Sequence, residues 1–373
     1  MKLKYIAIIV MSFLIVSCSS PTDTEDISLE TKIGQMLLIG FRGLEITEDS
    51  PIAQDIINGR VGGVVLFDYD VALQSSVRNI QSPEQLKNLT NSLQSQSRTE
   101  LFITIDQEGG RVCRLKEKYG FPPTVSQQYL GDVNNPDTTE YYASQTAHTL
   151  KDNGFNVNFA PVVDLNVNPD NPVIGAIGRS FSANPPVVTD NAMIVIDELH
   201  KVGIYSTLKH FPGHGSSTSD SHQGFVDVTN TWSAIELIPY ENIINTGAAD
   251  FIMTAHIFNS NWDANYPATL SKNVITGMLR EQLGYDGVVI SDDMNMKAIT
   301  DFFGLEQALK LSINAGVDII VFGNNLIYDE GIASKAIAII KELVDNGEIS
   351  KDRINEAYDR IMKMKSKIKS VSL

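Results

Sequence analysis

The stretch Lys209–Gly224, KHFPGHGSSTSDSHQG, holds three of the chain's six histidines, His210, His214 and His222, together with Lys209 and Asp220. These side chains move protons, bind hydroxyl groups and carry charge. Pro212, Gly213 and Gly215 exclude a regular helix or a central strand here. The stretch therefore reads as a loop, the place where rigid scaffolds tend to carry chemistry. Asp220 stands two residues before His222, close enough for its carboxylate to orient the imidazole and raise its basicity. Elsewhere, polar residues follow apolar runs: Asp106 with QEGGRVCR behind it, Asp164 with IGAIGRSFS and Arg179 behind it, His256, and the triplet Ser291, Asp292, Asp293. Asp292, fixed at the end of a rigid strand, suits a nucleophile. Asp293 is expected to point to a different face.

Each residue also has a structural use. Acids and arginines near strand ends form ion pairs, His210 and His214 could bond the loop backbone, and His256 reads as a satisfied structural histidine. A zinc site built from His210, His214 and Asp292 is a rival to acid/base chemistry. The two histidines flank FPG, however, and do not stand one helical turn apart as ligands on a helix would. No metal or cofactor is expected.

The elements that must position these groups alternate in type. Apolar, β-branched runs recur as QMLLIGF, VGGVVLF, LFITID, FNVNFAPVVD, IYSTLKH, FIMTAHI, GVVISDD and VDIIVFG, the pattern of parallel strands covered on both faces. Between them lie helical segments: SPEQLKNLTNSLQSQ opens on Ser82 as N-cap, and TTEYYASQTAHTLKDNGF closes on Gly154. Eight strand candidates alternating with helices predict an α/β fold, a (β/α)8 TIM barrel with extra C-terminal helices outside it. A doubly wound open sheet is the alternative, weakened because no GxGxxG turn follows the first strand. In a barrel the C-terminal ends of the strands carry the site, and the polar residues above stand at that end of several runs.

The full chain of 373 residues is 43% hydrophobic and 20% charged, enough for a complete core. Its net charge of −16 makes nucleic acid a poor partner; the basic run KMKSKIKS reads as a solvated helix end. Residues 1–17 have the charge-then-apolar order of a secretory signal, and IVSC resembles a bacterial lipobox. Cleavage before Cys18 and its acylation are expected, with residues 18–28 a tether and 29–373 the barrel domain. That places the protein in the bacterial cell envelope, lipid-anchored to the membrane and outside the cytoplasm. With Cys18 lipidated, only Cys113 remains, so no disulfide within the chain is expected.

KHFPGHG followed by DSH, then GVVISDDMNM, with IDQEGGRV upstream and IGRSFS between, resembles the β-N-acetylhexosaminidases of glycoside hydrolase family 3. The resemblance runs from about Leu29 to the C-terminal helices, and it implies a TIM barrel. It further implies that Asp292 is the nucleophile, that His222 is the acid/base with Asp220 as its partner, and that Asp106, Arg114, Arg179, Lys209 and His210 bind the sugar. The expected reaction is retaining exo-hydrolysis of terminal β-linked N-acetylglucosamine from cell-wall or other glycans. The substrate partner is then a carbohydrate with a terminal N-acetylhexosamine. A family-3 β-glucosidase, a β-N-acetylglucosaminide phosphorylase and a non-catalytic sugar-binding lipoprotein stay open. Ser216 and Ser217 depart from the pattern, standing where many relatives have an acidic residue and Thr.

Overall fold

The computed structural model describes residues 27–368. The expected signal (1–17), Cys18 and most of the 18–28 tether lie outside the described residues.

Each apolar run contributes one strand: β1 Leu37–Gly40, β2 Gly63–Leu66, β3 Phe102–Ile105, β4 Val157–Asn158, β5 Thr207–Phe211, β6 Phe251–Thr254, β7 Val288–Asp293 and β8 Ile319–Phe322. All neighbours are parallel, in the order β4-β3-β2-β1-β8-β7-β6-β5. β1 pairs with both β2 and β8, and bridges from Val157 to Tyr205 and from Val162 to Lys209 join the β4 and β5 sides. The sheet thus closes into the expected (β/α)8 barrel, and the open doubly wound alternative is set aside. Strand residues are buried on both faces because the barrel interior and the helical ring each cover one.

β4 is shorter than its run predicts. Pro161 lies in that run and cannot donate to a ladder. Instead the side-chain amide of Gln127 pairs with Val162, accepting its N–H at 3.0 Å and donating to its carbonyl at 2.8 Å. The peptide bonds Lys209–His210 and Phe211–Pro212 at the end of β5 are cis.

Ser82 caps the helix Pro83–Gln96 by accepting the Gln85 N–H at 3.2 Å. Gly154 and Gly316 follow their helices with φ of 77° and 115°, values that L side chains rarely adopt. The segment Asn273–Gln282 is wound as a π-helix. The two C-terminal helices behave differently from one another. Ile332–Asp345 packs in the outer ring against Leu29–Gln35 and Leu305–Ala315, as expected. Lys351–Lys365 also lies outside the barrel, as expected, and there it crosses the N-terminal end of the strands. The fully buried Asp318 attracts this helix, receiving its Arg353 at 2.6 Å and its Arg360 at 3.4 Å, beside Arg280 of Asn273–Gln282 at 2.7 Å.

Lys365, 2% exposed, ends this helix. Its ammonium donates to Gln35 Oε1 at 2.7 Å and to the Gly62 carbonyl at 2.6 Å, 4.9 Å from the centre of the Phe102 ring. Burial pulls its pKa down from 10.5 to about 7, against the charge of Glu100. Between those values the unfolded chain binds more protons than the folded one, so this group adds stability as pH rises and loses it as pH falls. Lys365→Met should remove the effect. In urea unfolding, the wild type should gain on the variant by a few kcal/mol between about pH 7 and about pH 9.5. Parallel pH dependences in the two proteins would contradict the assignment.

Candidate active site

A cavity of about 410 Å³ opens at the C-terminal ends of the strands. It brings together all eight residues expected there: Asp106, Arg114, Arg179, Lys209, His210, Asp220, His222 and Asp292.

One side of it is an ion cluster. Lys209, 1% exposed, reaches from β5 to Asp106 Oδ1 at 2.7 Å and Glu108 Oε1 at 2.6 Å. Arg179 grips the Glu108 carboxylate with two nitrogens, at 2.8 and 2.7 Å, a charge-assisted bidentate geometry. Arg114 lies 3.4 Å from Asp106 Oδ2. Burial disfavours the charge on Asp106, yet Lys209 and Arg114 outweigh it and hold the carboxyl well below its usual range. Glu108 is likewise held low: burial opposes its charge, and Arg179 and Lys209 prevail.

His210 has its tautomer fixed by its neighbours. Arg179 Nη2, which can only donate, lies 3.1 Å from His210 Nε2. The proton therefore sits on Nδ1, which donates to Asp164 Oδ2 at 2.7 Å. Burial and the nearby Arg179 charge drive the pKa of His210 well down, so this imidazole is neutral. Asp164 also accepts the backbone N–H groups of His210 and His214, at 3.1 and 2.8 Å. It thereby roots the loop that follows β5. Farther along that loop, His214 lies 2.8 Å from Ser217 Oγ and 3.2 Å from Ser221 Oγ. With both imidazoles engaged in this way, the zinc constellation of His210, His214 and Asp292 is not assembled.

The loop returns to the cavity at Asp220 and His222. Asp220 Oδ1 accepts both the backbone N–H and Nδ1 of His222, each at 2.8 Å. That leaves Nε2 as the nitrogen for exchange with a ligand. Burial works against the imidazolium, but the bond to Asp220 and the charges of Asp292 and Asp220 raise its pKa overall. Asp292, at the end of β7, moves the opposite way. Burial alone would raise it; the facing His256 and His222, and the Asp293 N–H that it accepts at 2.7 Å, lower it below the usual carboxylate range.

Asp293 corrects part of the sequence reading, since it lines the same cavity as Asp292. One of its oxygens, Oδ1, accepts the N–H groups of Asn295 and Gly323 at 2.9 Å each. Burial pushes its pKa up to about 6. His256 is buried between Thr269 Oγ1 at 2.8 Å and the Asp293 carbonyl at 3.1 Å.

Three groups were missed in the sequence. Glu108 was quoted within QEGGRVCR without a role; the signal was an acid two residues beyond Asp106, on the same side of an extended chain. Asp164 was placed at its strand end but not tied to His210. Glu236 lies in the turn Ala234–Leu237, where nothing marks it. It is fully buried, accepts the Gly215 N–H at 3.0 Å, and is raised by burial to about 8.

Comparison with known proteins places the chain in a family. The profile of the glycosyl hydrolase family 3 N-terminal domain matches residues 28–364. Beta-hexosaminidase A of Pseudoalteromonas piscicida is 35% identical over 333 residues, covering 83% of this chain and 54% of that protein. A beta-hexosaminidase of Nitrosomonas eutropha is 33% identical over 298 residues, covering 78% and 80%. Among solved structures, a family 3 β-N-acetylglucosaminidase from a Paenibacillus species superposes with a TM-score of 0.83 at 32% identity, covering 93% of this chain and 65% of that one. The β-N-acetylhexosaminidase from Beutenbergia cavernae gives 0.80 at 26% identity, covering 91% and 99%. The chain thus spans about half of the first relative and most of others. The chain belongs to glycosyl hydrolase family 3.

Glu108→Gln tests the ion cluster. It leaves Lys209 and Arg179 short of one countercharge in a dry site. Breaking such a buried pair should cost about 3–5 kcal/mol in urea unfolding. Unchanged stability would mean that the cluster does not depend on this carboxylate.

Proposed function

We propose that this protein is a retaining exo-β-N-acetylhexosaminidase that releases terminal β-linked N-acetylglucosamine from cell-wall or other glycans. The observation that carries the reading is the pairing, in one cavity, of a carboxylate whose pKa is held down with a histidine whose pKa is raised by its Asp220 partner, beside a set of ion-paired hydrogen-bonding groups. The beta-hexosaminidase and β-N-acetylglucosaminidase names of the relatives support the sugar class.

On this reading Asp106, Arg114, Arg179, Lys209 and His210 hold the hydroxyl groups of the terminal sugar. Asp292 attacks the anomeric carbon as the imidazolium of His222 gives its Nε2 proton to the departing oxygen. Asp220, bonded to Nδ1, holds the ring in position and stabilises its charge. The covalent glycosyl-enzyme is then hydrolysed by water, which the now neutral imidazole deprotonates, so configuration is retained. A His–Asp dyad does the work usually given to the second of two carboxylates.

Asp292→Ala should lower turnover by about three orders of magnitude or more, whereas Asp293→Ala should keep partial activity. A mechanism-based fluorosugar should label the peptide that holds Asp292, and a label on any other acid overturns the assignment. His222→Ala should slow substrates with poor leaving groups by about 10²–10⁴-fold and activated aryl glycosides far less. Equal slowing of both in the glycosylation step would show that histidine is not the acid.

The pH profile of kcat/KM gives a separate check. His222 must be protonated and its pKa is raised, so activity should fall as pH climbs past a value above 6.5. Asp292 must be ionised and its pKa is lowered, so the acid limb should lie below 3.8. In His222→Ala the alkaline limb should vanish.

We further propose that the protein is anchored at Cys18 to a bacterial membrane, outside the cytoplasm. The lipobox-like IVSC supports this. Cys18→Ala should release the protein to a soluble fraction or block its processing; unchanged size and membrane association would rule the anchor out.

A further inference from the structure

Glu236 takes no part in the chemistry above, yet it lies wholly out of water beneath the loop that carries Asp220 and His222. An acid in such a place costs free energy that an apolar side chain of its size would not. Burial, and then the Asp164 charge, raise its pKa to about 8. At neutral pH it is therefore an uncharged acid, able to accept on one oxygen and donate from the other. Oε2 accepts the Gly215 N–H at 3.0 Å. Oε1 and the hydroxyl of the facing Ser216 are both buried with no other partner among the described residues, and the proton of the acid suits that hydroxyl. The carboxyl also lies against Gly213, where a Cβ would stand 3.0 Å from Oε2. Glu236 thus meets the backbone on both sides of His214.

From His214 the path to the acid/base is short. Its imidazole lies 2.8 Å from Ser217 Oγ and 3.2 Å from Ser221 Oγ. Ser221 stands between Asp220 and His222, and its carbonyl accepts the Ala298 N–H at 3.3 Å, in the segment that follows β7 and Asp292. Asp164 and Asn171 hold the same arm: Asp164 accepts the His214 N–H at 2.8 Å, and Asn171 Nδ2 donates to the His214 carbonyl at 2.7 Å. The His222 side chain is itself 51% exposed, so its place is set by the loop more than by packing around the ring.

We propose that Glu236 is a positioning residue for the glycosidase reaction: it seats the Gly213–Ser217 arm so that His214, through Ser221, holds the Asp220–His222 pair in the cavity with Asp292. This rests on the acid/base role of His222 given above and deepens it. Glu236 makes no bond to substrate. Without its carboxyl, the Gly215 N–H is left unpaired out of water and space opens beside Gly213, so the arm shifts. A displacement of about 1 Å at a catalytic group can cost about 10²-fold in rate.

The test reads a ratio: kcat/KM for phenyl β-N-acetylglucosaminide, whose leaving oxygen needs a proton, over that for the dinitrophenyl counterpart, which needs almost none. This ratio does not depend on the fraction of enzyme folded. In Glu236→Ala it should fall about tenfold. Glu236→Gln, which keeps an accepting oxygen and a donating group, should restore it. In a His222→Ala background, Glu236→Ala should change the ratio no further, because the group it positions is gone. Should Glu236→Ala give no folded enzyme, Glu236→Asp, whose shorter side chain withdraws the carboxyl from Gly215, replaces it with the same expectations. If His222→Ala depresses the ratio but the Glu236 variants do not, if glutamine fails to restore it, or if the double variant falls further, the proposal is wrong and His222 stays the acid. A ratio that His222→Ala leaves unchanged overturns the acid assignment, and this proposal with it.

Discussion

Lys209 sets a problem that much of the site answers. Its ammonium lies almost wholly out of water in the mouth of a barrel, where an isolated charge costs several kcal/mol. Asp106 and Glu108 offset that cost by direct contact. Glu108 then carries two cations, because Arg179 takes both of its oxygens. Arg179 in turn donates to His210, which fixes that ring's proton toward Asp164, and Asp164 holds the start of the loop at His214. The geometry of the loop thus traces back, one bond at a time, to one buried ammonium.

Beside this cluster the electrostatics separate two groups that must act in opposite protonation states. Asp292 and His222 each stabilise the charged form of the other, one moving down in pKa and the other up. The neutral His210 holds no charge that would compete with this division. Beneath the loop, Glu236 is protonated for the most part at neutral pH, its pKa being about 8. It packs so closely on Gly213 that a Cβ there would meet Glu236 Cβ at 2.6 Å, in a backbone whose φ is 114°. Only glycine fits that position comfortably.

The barrel was legible because parallel strands buried on both faces print continuous apolar runs, and all eight were found. Asp106, Asp164 and Asp292 could be placed because a strand end has a known direction in this fold. Pairings across the barrel were not legible. Nothing local says that Glu108 meets Arg179, 71 residues away, or that a glutamine side chain continues the pairing of β4 where Pro161 stops it. The exact seat of the last helix was not legible for a related reason. Its amphipathic pattern shows which face is buried but not whether that face meets the outer ring or the end of the barrel.

Asp70, Arg78 and Asn325 tie the loop after β2 to the loop after β8, since Arg78 Nη1 donates to Asp70 at 2.7 Å and to Asn325 Oδ1 at 3.1 Å, and this tie has a bearing on how such a protein diversifies. It joins residues 254 positions apart, and both carboxylate oxygens of Asp70 are engaged. An insertion or a lost partner in either loop would leave buried charge unmatched in the other. The two loops are therefore expected to drift as a linked pair across generations, while the ion cluster, which shares none of their hydrogen bonds described here, is inherited on its own terms.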